Sequence, residues 1–135
     1  MTTISSDQDK SLLRSALLGN SIFCFLSGLG FALFSGSVAN FLGLSSSTAI
    51  LVLGIILTTY GLIVFTQARA KTLDLAFARY VISLDVLWVI GNAVLVFTDL
   101  VAFTIAGKWA IVIVADIVLI FAIVQFVGLR RVINL

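Results

Sequence analysis

Between Ser15 and Ala68 the chain carries no charged side chain. A membrane-spanning helix needs about 20 mostly apolar residues, so this stretch is too long for one crossing and suits two. A water-soluble fold would have to hide it. A chain of 135 residues, 61% of them hydrophobic, cannot do so, because much of any folded surface must face solvent. Lipid as the solvent removes the difficulty. The apolar runs are continuous rather than alternating, and they exceed the length of barrel strands, so they read as helices.

The middle of the long run, Ser35-Gly36-Ser37 and Ser45-Ser46-Ser47-Thr48, is rich in residues that end and connect helices. Two further apolar runs follow. The expected fold is all-α: a single-domain integral membrane four-helix bundle over residues 1–135, with helices at about 15–35, 47–68, 80–98 and 108–128, joined up-down-up-down. The polar segment Met1 to Lys10 reads as a short cytoplasmic tail.

Orientation follows from the basic residues, which accumulate on the cytoplasmic side. Lys10 and Arg14 precede the first run. Arg69, Lys71 and Arg79 lie between the second and third, and Arg130 and Arg131 follow the fourth. The other side holds only Lys108, with Asp99 and the interfacial Trp109 near it. Both termini are therefore expected to be cytoplasmic, in a cell inner membrane.

The residue types that are missing restrict the chemistry. His, Pro and Glu are absent and Cys24 is the only cysteine. No intramolecular disulfide and no cysteine-based metal framework can be built, and the commonest haem and metal ligand is lacking. No metal, cofactor or nucleic acid is expected. The expected partners are the bilayer and either further copies of this chain or a larger membrane protein complex.

Hydrophobicity cannot sort helix from helix in lipid, so close packing and hydrogen bonds must. The first run carries Asn20, Cys24, Gly28, Ala32 and Gly36 at i+4 spacing. The second carries Gly54, Thr58, Gly61 and Ala68 on one face. These stripes are expected to meet, with Cys24 a small packing residue rather than a reactive thiol.

Ionisable groups inside a span are costly and are the first candidates for function. Two occur, Asp85 and Asp116. At about 1.5 Å per residue, Asp85 lies ~9 Å in from Arg79. Asn20 and Gln125 have similar depth, so these three are expected to form one polar layer in the cytoplasmic half. Arg14 or Arg79 could reach Asp85 from the interface. Asp116 lies ~12 Å in from Lys108, level with Asn92. That pair is expected to face each other, with Thr58 or Tyr60 nearby. On the third run Asp85, Trp88, Asn92 and Asp99 share a face that should look into the bundle or at a partner.

The pairs Gly19-Asn20 and Gly91-Asn92 would mark a two-helix unit repeated in parallel, against which stands the different depth of the two Asn.

Three classes of function bear on these residues. Lipoprotein signal peptidases have four spans and two catalytic aspartates, but Asp85 and Asp116 fall in opposite halves of the membrane and no other catalytic set is present. The chain is therefore expected not to be an enzyme. Small multidrug-resistance exporters match in size, but their acid is a glutamate in the first span. A small oligomeric carrier or channel using a buried Asp116, with Asp85, stays open, with Trp88, Tyr60 and Phe97 as pocket lining. An accessory or structural subunit of a membrane assembly needs the fewest assumptions. The segments Leu84-Asp85-Val86-Leu87-Trp88-Val89-Ile90-Gly91-Asn92 and Gln125-Phe126-Val127-Gly128-Leu129-Arg130-Arg131 resemble small uncharacterised four-span bacterial inner-membrane proteins. The resemblance implies a four-helix bundle and brings no activity or functional residue with it.

Overall fold

The computed structural model describes residues 7–133. The chain is all-helical over this range: α1 Asp7–Leu33, α2 Ser35–Leu42, α3 Thr48–Ala68, α4 Leu75–Phe97 and α5 Ile105–Ile133. Four of these helices are long and apolar enough to cross a membrane. Their outer faces support that reading, because Ile55, Leu62, Leu87, Ile90 and Ile120 are all half-exposed or more. Soluble monomers rarely leave contiguous apolar surface of this extent uncovered.

Three helices begin or end beyond the expected bounds, for one reason. An apolar run marks the part of a helix that needs lipid, whereas the helix continues into water while its backbone bonds continue. Thus α1 starts at Asp7, inside the segment expected to be a polar tail, of which residues 1–6 lie outside the described range. Likewise α5 extends on both sides of 108–128. In α4 the start moves back to Leu75 because Asp74 caps it, accepting a hydrogen bond from the Phe77 N–H at 3.1 Å.

A fourth difference is an extra element. The Gly/Ser-rich connection after α1 contains the short helix α2. It ends on Gly43, whose φ of 86° is left-handed. The Gly43 N–H reaches Asn40 O at 3.1 Å and the Leu44 N–H reaches Ala39 O at 2.8 Å, a Schellman ending. Thr104, just before α5, donates from its backbone N–H to Leu42 O at 3.0 Å and from its hydroxyl to Phe41 O at 2.6 Å. These bonds tie α2 across the start of α5.

The small-residue stripes set the closest helix contact. A Cβ added at Gly28 would lie 2.5 Å from the Thr58 backbone nitrogen, and one at Gly54 would lie 2.5 Å from the Ala32 nitrogen. At Gly61 it would lie 2.7 Å from the Phe25 nitrogen. The α1 and α3 backbones therefore touch over more than two turns, as packing without a hydrophobic driving force requires. The stripes meet only in their centre. Gly36 falls in α2 and opens on free space, while Asn20 and Cys24 turn into the bundle.

In lateral order the helices run α3, α1, α5, α4: α1 packs on α3 and α5, and α5 packs on α4. The consecutive helices α3 and α4 make next to no contact with each other through most of their length. They converge only where Leu13, Leu17, Val64, Ala78, Val81 and Leu129 form the fully or nearly fully buried core. At that end Arg14 donates to Ala68 O and Ala70 O, each at 2.6 Å, closing the last carbonyl of α3 and one in the turn beyond it. Away from it α3 and α4 part, and the space between them is the setting of the site.

Candidate functional site

Asp85 is 4% exposed, and Asn20 and Gln125 are 0% exposed. The Asn20 amide donates to Asp85 Oδ2 at 2.7 Å and the Gln125 amide donates to the same oxygen at 2.8 Å. Asn20 Nδ2 also lies 3.3 Å from Gln125 Oε1, and Gln125 Nε2 donates to Phe121 O at 2.9 Å. Cys24 Sγ donates to Asn20 Oδ1 at 3.4 Å. One carboxyl thus gathers α1, α4 and α5 into a single polar layer, at the common depth that counting from the arginines indicates.

Among the described residues no cation joins this layer. Arg14 is committed to the end of α3, and Arg79 is exposed. Among the described residues the one ion pair is Lys108–Asp99 at 2.6 Å, at the opposite end. Asp99 is exposed and Lys108 partly so, and ion pairs open to solvent contribute little. The expected reach of Arg14 or Arg79 to Asp85 is therefore corrected. Two neutral amides satisfy one carboxyl oxygen instead.

The second expected pair does not form. Asp116 sits on the outer face of α5, exposed, with no hydrogen bond among the described residues. Asn92 donates at 2.9 Å to Trp88 O in its own helix. Thr58 donates to Gly54 O at 2.7 Å and belongs to the α1–α3 contact, not to Asp116. A carrier acid buried within one chain at Asp116 is excluded by this placement. The two Gly-Asn pairs also differ. Gly19 abuts Phe121 and Asn20 is buried, whereas Gly91 faces open space and Asn92 is half-buried. Their surroundings give no structural counterpart to a repeat.

Above the polar layer lies a cavity of about 570 Å³. Its walls come from all the helices and include Phe23, Phe31, Tyr60, Asp85 and Trp88, with Phe34 and Val38 at the α2 end. Ile56 of α3 and Leu84 of α4 also line it, and they are 57% and 49% exposed. The cavity is therefore open on the side where α3 and α4 diverge. Tyr60 Oη and Trp88 Nε1 are buried and have no hydrogen-bond partner among the described residues. Phe97, expected beside Trp88 and Tyr60, is 80% exposed and lies outside the cavity.

The aromatic wall of α1 was not anticipated, although Phe23, Ser27, Gly30, Phe31 and Phe34 recur at helical spacing. That periodicity is the signal that could have found it. Chemically the site offers the Asp85 carboxyl, the Tyr60 phenol, the Trp88 indole N–H, the Ser27 hydroxyl and the Cys24 thiol in an otherwise apolar chamber. Among the described residues no group of three His, Cys, Asp or Glu stands close enough to hold a metal ion. No family model, curated protein or solved structure matches the chain.

Proposed function

We propose that this protein is an accessory or structural subunit of a membrane assembly. It crosses a bacterial inner membrane four times, up-down-up-down, with both termini cytoplasmic. The orientation rests on seven basic residues on the side of the termini against Lys108 alone on the other.

The observation that carries the functional reading is the outward Asp116. It stands on an α5 face otherwise made of Ile113, Ile120 and Ile123, each more than half exposed. A carboxyl facing hydrocarbon is costly, and such groups face protein or a polar cavity. A neighbouring subunit on this face removes the cost. Affinity purification of the tagged protein from native membranes in mild detergent tests this. The expected result is a complex larger than the single chain, reduced at least severalfold by Asp116→Leu. Recovery of the chain alone counts against the reading.

A second reading is a small oligomeric carrier or channel. The buried Asp85 at the end of a laterally open cavity favours it, with Asp116 then belonging to the contact between copies rather than to the pathway.

A further inference from the structure

The polar layer leaves the cavity side of the site unanswered. Asp85 Oδ2 takes both amide hydrogen bonds, while Oδ1 takes part in none among the described residues. Tyr60 Oη and Trp88 Nε1 are likewise without partners, and all three side chains line the cavity. We propose that the cavity is a binding site for an elongated apolar molecule with one uncharged oxygen head, a long-chain alcohol or carbonyl compound, that enters from the lipid between α3 and α4. The inference is independent of the accessory role.

The head group follows from what each side chain can do. An indole N–H only donates, so the occupant must present an acceptor near Trp88. A phenol donates as well; both donor atoms are buried in this structure, so a small turn of each ring is needed to bring it to the entering oxygen. Asp85 opposes an anionic head. A cation without lone pairs leaves the indole and phenol unanswered. A hydroxyl can accept from these donors and also donate to Asp85 Oδ1.

The body follows from the walls. From Phe23, beside the polar layer, to Phe34, at the α2 end, α1 advances about 16 Å. The lining along this length is aromatic and aliphatic. The volume of about 570 Å³ falls among pockets that enclose small-molecule ligands, about 300–1,000 Å³. The opening beside Ile56 and Leu84 admits a molecule already dissolved in the bilayer.

The full chain can report its own occupancy. It has two tryptophans, and Trp109 is 66% exposed and outside the cavity. Trp109→Phe therefore leaves Trp88 as the sole reporter. Its fluorescence is titrated in detergent with a dibrominated long-chain alcohol, with the matching dibrominated alkane, and with a lipophilic cation of the same body as competitor. The expected result is saturable quenching by the alcohol, at least tenfold weaker with the alkane and little displaced by the cation. Tyr60→Phe should weaken the alcohol about five- to tenfold, the loss of one hydrogen bond, and leave the alkane unchanged. Gly30→Leu should abolish saturable quenching. Gly30 lines the cavity and a Cβ there meets nothing within 4 Å, so the added side chain fills the chamber without a backbone clash. Equal quenching by alcohol and alkane would overturn the proposal, showing a cavity that takes up any hydrocarbon tail. Tighter binding of the cation, or saturable quenching that survives Gly30→Leu, would also overturn it. If circular dichroism shows Gly30→Leu misfolded, the alkane comparison and Tyr60→Phe decide.

Discussion

Gly28→Leu should destabilise the protein by about 3 kcal/mol or more, the upper range for overpacking a close contact. The clash is with backbone rather than with a flexible side chain. The first added carbon would fall 2.5 Å from the Thr58 nitrogen and 2.7 Å from Gly54 O. Relief requires α1 and α3 to separate, which also undoes the approach of Gly54 to Ala32 and of Gly61 to Phe25. Thermal denaturation in detergent, followed by circular dichroism, reads the effect. Gly36→Leu is the control, because a Cβ there meets nothing within 4 Å. Its melting temperature should stay near that of the wild type. Equal losses from both variants, or no loss from Gly28→Leu, would show that the stripe does not hold the helices together.

The second large effect concerns the polar layer. Gln125→Leu removes one of the two amides on Asp85 Oδ2 and the acceptor that Asn20 reaches at 3.3 Å. Asp85→Leu leaves the Asn20 amide without its 2.7 Å partner. Each change takes a hydrogen bond from a buried polar group without removing its last partner, at a cost of about 1 kcal/mol or somewhat more. Replacing Asn20, Asp85 and Gln125 together by Leu strands none of the three partners. The triple variant should lie within about 1 kcal/mol of the wild type, since apolar replacement of a whole buried network is often nearly neutral. The same melting assay gives the answer. Losses that simply add across the three sites would show that the side chains act separately rather than as one network.

The four helices long enough to cross a membrane, and the polar layer, were legible in the sequence because a chain built for lipid has few choices. Uncharged length sets the number of spans. The arginines fix a reference height, and distance from them brings Asn20, Asp85 and Gln125 to one level. Depth, however, fixes height and not angle around the helix. Asp116 precedes Gln125 by nine residues, two and a half turns at ~3.6 residues per turn, and so falls on the opposite face. Once Gln125 points inward, Asp116 must point outward. Asn92 keeps roughly the azimuth of Asp85, seven residues earlier, but it spends its amide on Trp88 O within α4. The short helix α2 had no local signature. Its place depends on Thr104, more than sixty residues away in sequence. The cavity was hidden for a similar reason. It exists because consecutive helices α3 and α4 diverge, and no periodicity states which neighbours fail to touch.

The proposed membrane assembly stands or falls with the outward carboxyl of Asp116. A photo-activated cross-linking residue placed at Ile120, one turn from Asp116 on the same α5 face, tests it in native membranes. The control site is Ile63, on the exposed face of α3. The expected result is a protein adduct from position 120 that diminishes with Asp116→Leu, and lipid adducts alone from position 63. Lipid adducts alone from both positions would contradict it.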